Sequence, residues 1–251
     1  MTTKRENEKK TSVRVKAEVE SSLTSRFGDA VRRHESNSQF MSTGVAEIDD
    51  LSGGVPRGAI TEILGPASSG RTSLMLAIIA AATSRDEVCA LIDATDSLDA
   101  VSAQQAGVDL YKLLWVRCGG NVEHALKATD LLLQGGGFGL VALDLGDIST
   151  PQARKLQATW WLRFRRAIEK TPTVVLVIER EPCARSGAGL VFELKRESAQ
   201  WSSAVAESAP GYGTHSTLLS GFSLTIEHRK PVRAGNRTAR IQTRATYLSK
   251  K

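Results

Sequence analysis

Nine consecutive residues, Gly65-Pro66-Ala67-Ser68-Ser69-Gly70-Arg71-Thr72-Ser73, have the types and spacing needed to hold a polyphosphate. The pattern Gly-x4-Gly, then a cation, then a hydroxyl, works because successive backbone N–H groups curl around phosphate oxygens at a helix N-terminus. The cation reaches the outer phosphates and the hydroxyl binds Mg²⁺. ATP or ADP with Mg²⁺ is the cofactor this chemistry asks for. One position departs from the pattern: Arg71 stands where lysine is usual. A guanidinium keeps the charge but is a wide planar fork rather than a compact ammonium, so the exchange is not conservative in a tight cradle. Two outcomes stay open. Either the loop binds nucleotide with little turnover, or it is a relic whose Arg71 pairs with an internal carboxylate.

A nucleotide-bound Mg²⁺ also needs an aspartate at the end of a neighbouring apolar strand. Asp144, after Leu140-Val141-Ala142-Leu143, fits, which makes Thr72 and Asp144 the expected metal-holding pair. Asp93 and Asp96 sit at the mouth of another strand, where they either orient water or cap the following helix. Asp96 is the candidate catalytic group.

Parallel strands covered on both faces read as continuous apolar runs, and five such runs alternate with helical patterns. The strands are expected at Ala59–Leu64, Val88–Asp93, Leu113–Val116, Leu140–Asp144 and Thr173–Ile178. Helices are expected from Thr72 to Ala82, Ser97 to Ala106, Val122 to Gln134 and Pro151 to Lys170. The glycines from Gly135 to Gly139 precede a strand, which fits a helix end and turn rather than a second phosphate loop. Leu190–Lys195 and Phe222–Glu227 alternate like half-exposed strands and are expected as antiparallel additions at a sheet edge, with a mobile Ser/Ala/Gly-rich loop, 202–220, between them. The expected fold is thus α/β: a phosphate-loop core, 40–228, with a mostly parallel sheet flanked by helices. A charged arm with a short helix precedes it over 1–39, and a basic tail follows over 229–251.

The 251 residues carry 33 basic and 27 acidic side chains, a net charge of +6 that favours a polyanionic partner. The distribution is more informative. Beyond Ile226 the bases Arg229, Lys230, Arg233, Arg237, Arg240, Arg244, Lys250 and Lys251 face the single acid Glu227. A second basic group, Arg154, Lys155, Arg163, Arg165, Arg166 and Lys170, interleaves with Trp160, Trp161 and Phe164. At helical spacing two of those three aromatic residues belong in the core. These two groups are the candidate contacts for single-stranded DNA. The three cysteines and four histidines are dispersed, which argues against zinc and against a disulfide framework. With no apolar run long enough for a bilayer and a polar start, a cytoplasmic protein without a membrane partner is expected.

Other motifs add a family. Ser42-Thr43-Gly44 with Ile48-Asp49, Gly53-Gly54-Val55-Pro56-Arg57-Gly58, Glu62-Ile63 and the loop itself follow one another as in the RecA recombinases. Cys89-Ala90-Leu91-Ile92-Asp93-Ala94, Leu98-Asp99, Gly107-Val108-Asp109 and Leu113-Leu114 continue the likeness. The chain resembles that family from Phe40 to Ile178, and Arg26-Phe27-Gly28 is similar to the end of the arm through which its protomers join. The departures fall on chemistry. Thr95 stands where the resemblance implies a catalytic glutamate, with Asp96 next to it, and Arg180 where it implies a γ-phosphate-sensing glutamine. The family's mobile DNA-binding loops have no recognisable counterpart. With its Leu-Lys-Arg-Glu-Ser-Ala-Gln-Trp segment and basic ending, the chain is similar to the ImuA group of RecA-related mutagenesis proteins. That likeness implies an accessory role in damage-induced translesion synthesis, beside an inactive Y-family polymerase relative and an error-prone polymerase, or RecA itself. A DNA-dependent ATPase of recombinational repair and a RecA-fold interaction protein such as a cell-division inhibitor are the alternatives.

Overall fold

The computed structural model describes residues 39–154, 156–203, 217–231 and 237–244, together with Ser21 and Ser25. The expected arm with Arg26-Phe27-Gly28, the centre of the 202–220 loop, Lys155 and Arg233 lie outside the described residues. In chain order the elements are β1 (Phe40–Met41), α1 (Ala46–Ser52), β2 (Val55–Pro56), β3 (Ile60–Leu64), α2 (Arg71–Ser84), β4 (Cys89–Asp93), α3 (Ala100–Gln105) and β5 (Leu113–Arg117). There follow α4 (Val122–Gly135), β6 (Leu140–Asp144), α5 (Thr150–Arg154), α6 (Ala158–Ile168), β7 (Val174–Glu179), β8 (Ala188–Ser203), β9 (Thr217–Lys230) and β10 (Arg237–Arg244).

Eight strands make one sheet in the order β10-β9-β8-β3-β7-β6-β4-β5, while β1 and β2 pair separately. From β5 to β8 every neighbouring pair is parallel, and the β8–β9 and β9–β10 pairs are antiparallel. The apolar runs are continuous because successive side chains enter two cores. Val141 and Leu143 meet Leu126, Trp161 and Phe164 on one face. Leu140 and Ala142 meet Ile48, Met75 and Ile79 on the other. Helices α4 and α6 therefore cover the first face, and α1, α2 and α3 the second.

Three expectations need correction. The Leu190–Lys195 strand is parallel to β3, a sixth parallel strand, and only its far side takes an antiparallel partner. The Pro151–Lys170 helix is two helices, because Gln157 adopts extended backbone and starts α6 anew. Periodicity could not show that break, since Ala153, Leu156, Trp161, Phe164 and Ile168 keep helical spacing across it and reach the same core. The basic ending is not all tail. Residues 237–244 pair with β9 from Arg237–His228 to Arg244–Gly221, and Ala239 and Ile241 pack on the second core. The glycine cluster behaves as a helix end: Gly136 and Gly137 take φ of 74° and 84° before β6.

Candidate functional site

The loop sits where β3 ends and α2 begins. Gly70, at φ 92°, is the residue that turns the chain into α2, and Ser68 also takes a left-handed φ of 58°. The first turn of a helix leaves its N–H groups without intrahelical partners, so the loop amides are available to an anion. Close packing shapes the cradle. A Cβ on Gly65 would lie 2.4 Å from Ser69 Oγ and 2.6 Å from the Leu194 carbonyl oxygen, and one on Gly70 would lie 2.4 Å from Leu224 Cδ1. Strands β8 and β9 thus brace the loop from the sheet. Pro66, Ala67, Ser68, Thr72 and Ser73 are exposed. Ser69 Oγ is buried without a hydrogen-bond partner, a polar orphan that a phosphate oxygen would satisfy. Beside Gly70 and Ser73 a cavity of about 300 Å³ has apolar walls from Leu74, Leu224, Ile226 and Ile241.

Arg71 is turned inward and is 7% exposed. Both terminal nitrogens donate to the Gly146 carbonyl oxygen at 3.3 Å, and the guanidinium feels the charges of Asp144 and Asp147. Burial pulls its pKa below the usual arginine value despite those acids. Arg180, at the end of β7, donates from Nε to the same carbonyl at 3.0 Å and lies 3.5 Å from Asp147. Two arginines converge on the turn after β6, which the sequence did not signal because Gly146 offers only backbone.

Asp144 is buried at 8% exposure and accepts the Gly146 N–H at 2.8 Å. Desolvation pushes its carboxyl up to about 6, more than that hydrogen bond and Arg71 pull it down. Thr72 is exposed in the first turn of α2, and Asp144 is buried at the end of β6. Asp93 is spoken for: it accepts from Ser97 N at 3.0 Å, Leu98 N at 2.9 Å and Trp115 Nε1 at 3.2 Å. Asp96, the catalytic candidate, accepts the Gly119 N–H at 3.1 Å and lies 3.2 Å from Arg117. Those partners are the last residue of β5 and the glycine two positions beyond it, so Asp96 is tied to the neighbouring edge strand.

The remaining motifs are structural. Asp49 ties Ser42 Oγ at 2.6 Å and both Thr43 N and Thr43 Oγ1 at 2.8 Å. Gly54 passes so close to β1 that a Cβ would meet the Met41 carbonyl oxygen at 2.3 Å. Arg57 clamps the buried Glu87 with two hydrogen bonds of 3.0 and 2.8 Å. The model of the RecA N-terminal domain matches residues 20–157, a span that includes this framework and the loop. The chain belongs to the RecA N-terminal domain family. It is 44% identical over 117 residues to the protein RecA of Deinococcus radiodurans, covering 46% of this chain and 32% of that one. It is 41% identical over 170 residues to the protein RecA of Rhizobium rhizogenes, covering 61% of this chain and 46% of that one. The match therefore spans about a third to a half of these relatives.

The basic groups are divided by the fold. On α6, Trp161 and Phe164 are core residues at 2% and 0% exposure, while Trp160 lies half-buried under the Arg163 guanidinium, 5.3 Å from its ring centre. Arg163 also pairs with Asp130, whereas Arg165 and Arg166 are exposed. Arg154 belongs to α5. On the sheet edge, Arg229 lies 2.5 Å from Glu193, and Arg240 lies 3.6 Å from Glu197. Lys230 turns back to donate to the carbonyl oxygens of Ser186 and Ala188. Arg237 opens β10. Among the described residues three aromatic side chains are exposed: Phe40 at 41%, Tyr111 at 91% and Trp201, on β8, at 62%. Trp201 lies outside the helix in which aromatic and basic residues cluster, and strand alternation around it does not mark it as exposed. No helix among the described residues is long and apolar enough to cross a membrane.

Proposed function

We propose that this RecA-family chain is an accessory protein of bacterial DNA damage tolerance, of the ImuA type. It acts by binding protein partners and single-stranded DNA, and it holds ATP or ADP with weak or no hydrolysis. The partners are an inactive Y-family polymerase relative and an error-prone polymerase, or RecA itself. The observation that carries the reading is Arg71, buried against the Gly146 carbonyl instead of standing free over the loop. Amides and the orphan Ser69 Oγ keep a phosphate cradle, while the cation that would follow the outer phosphates is engaged inside. Thr72 and Asp144 would hold Mg²⁺, which supplies charge neutralisation on the phosphates when bound. The cavity beside Ser73 has the size and apolar walls to seat the base. Asp96 is engaged by Gly119 and Arg117, and Arg180 by the Gly146 carbonyl, which supports a reading with weak or no hydrolysis.

Calorimetry with Mg·ATP on the folded chain, paired with a hydrolysis assay with and without single-stranded DNA, tests this. Binding in the high micromolar to millimolar range is expected. Turnover should lie far below that of a recombinase, since each lost catalytic group commonly costs on the order of 10² to 10⁴ in rate. DNA-stimulated turnover that Thr72→Ala abolishes would instead make the chain a working ATPase.

A further inference from the structure

Beneath the loop, on the face covered by α6, three groups from separate segments converge. Glu62 projects from β3, Glu179 ends β7, and Cys183 lies in the connection to β8, with one ligand atom from each within 4.8 Å of the others. Both glutamates are nearly sealed from water, at 1% and 3% exposure. Backbone amides fix their geometry. Glu62 Oε1 accepts from Cys183 N at 3.1 Å and Ala184 N at 2.5 Å, and Glu179 Oε1 accepts from Cys183 N at 3.2 Å. Glu179 Oε2 is buried with no hydrogen-bond partner. Two adjacent carboxylates cannot both stay ionised in such a place without a compensating positive charge. Burial and the neighbouring Glu62 hold the Glu179 carboxyl well above the usual range, and burial raises the Cys183 thiol as well. Arg71 contributes to the field at Glu179, but its hydrogen bonds go to Gly146.

We propose that Glu62, Glu179 and Cys183 form a binding site for a divalent cation of the zinc class. Two oxygens and one sulfur are a borderline donor set. The thiolate disfavours Mg²⁺ and Ca²⁺, which take oxygen ligands, and favours Zn²⁺ or its probe Co²⁺. Binding displaces a proton from the thiol and from the carboxyl pair, so it strengthens as pH rises. The partly exposed side of Cys183 gives the ion entry and leaves room for water as a fourth ligand. The ion would join β3, β7 and the 180–187 connection directly below Gly65, whose N–H donates to the Glu179 carbonyl at 3.3 Å.

The experiment uses the full chain, stripped with a chelator, desalted and kept reduced. Co²⁺ should give a thiolate-to-metal charge-transfer band that saturates at one ion per chain. Zn²⁺ should displace it and raise the melting temperature. Cys183→Ser should remove the band and weaken Zn²⁺ at least about tenfold, the scale of losing a metal-supporting group. Cys118→Ser should leave both unchanged. Glu179→Gln supplies a neutral amide in place of the carboxyl, so the chain stays folded without metal and loses the Zn²⁺-dependent rise in melting temperature. No band and no Zn²⁺ effect, or binding that survives Cys183→Ser, overturns the site and leaves a shared proton as the link between the carboxyls.

Discussion

The loop end of the parallel strands and the antiparallel edge use the same side chain in opposite settings. Arg71 is 7% exposed and bonded to a carbonyl, whereas the Arg240 side chain is 81% exposed, 3.6 Å from Glu197. At the loop, burial commits inward a cation that the sequence left open between a ligand and an internal partner. At the edge, strand alternation places Glu193, Lys195 and Glu197 of β8 on the face shared by Glu227, Arg229 and Arg240, opposite Leu194, Ile226 and Ile241. Three acids meet three bases there. A count along the chain sees eight bases against one acid, because the other acids arrive from a strand distant in sequence. Charge density in a sequence therefore measures neither region: one cation has gone inward, and the others are offset sideways.

The change with the largest expected effect tests whether the regions are separate at all. Leu224 belongs to β9, is 3% exposed, and touches the Gly70 position of the loop. Leu224→Ala should cost about 2–5 kcal/mol in urea unfolding, the range for a buried leucine. It should also weaken Mg·ATP binding, because it removes the wall that braces Gly70. Lost stability with intact binding would show that the edge supports the fold without shaping the loop.

Next in size is a pH dependence confined to the loop side. The folded-state pKa of Asp144 is raised from 3.8 to about 6, so its contribution to stability is fully present below 3.8 and lost as pH rises through about 6. Asp144→Asn keeps a carbonyl acceptor for the Gly146 N–H and cannot ionise. The stability of the variant minus that of the parent should therefore grow over that interval, by on the order of 3 kcal/mol, and then level off. Urea unfolding at a series of pH values measures it. A flat difference would mean that Arg71 offsets the burial of Asp144 completely, which would make the inward cation a full replacement for a metal.

How much of this was legible follows the same division. The five central strands, the loop and Asp144 were legible because each is written in contiguous residues: continuous apolar runs, glycines at fixed spacing, an aspartate at a strand end. The direction of β8 was not, because alternation reports which face a side chain takes and says nothing about which way the neighbouring strand runs. The break at Gln157 and the seat of Arg71 were hidden for related reasons, one masked by unbroken helical spacing and the other set by a backbone carbonyl. The Glu62–Glu179 pair joins residues 117 positions apart, and neither strand taken alone marks its acid as one of a pair.

The third effect concerns cations on α6. Arg165 and Arg166 are exposed and carry no ion pair among those found for the described residues, in contrast to Arg163 on Asp130. Replacing both with alanine should lower affinity for single-stranded DNA about tenfold at low salt. It should also reduce the slope of log K against log salt by about 1.4, since each phosphate neutralised on a single strand contributes about 0.7. The melting temperature should hold. An unchanged slope would move DNA contact off α6, and Trp201 would be the next position to probe by base stacking.

Smallest of all should be the matching change at the edge. Arg240 sits beside Glu197 in solvent, and exposed pairs of this kind contribute roughly 0–1 kcal/mol because screening and side-chain entropy offset the attraction. Arg240→Ala should leave stability within about 0.5 kcal/mol of the parent. Its effect on DNA separates two accounts of the basic ending. If Arg240 is spent on Glu197, removing it frees an acid and changes DNA affinity little. If the pair opens to take a phosphate, the salt slope falls by about 0.7, and Glu197→Gln should then strengthen binding by removing the competitor. The geometry favours the first account, because Lys195 and Arg229 are likewise flanked by Glu193 and Glu227, and opening one pair leaves the rest of that balanced face unchanged.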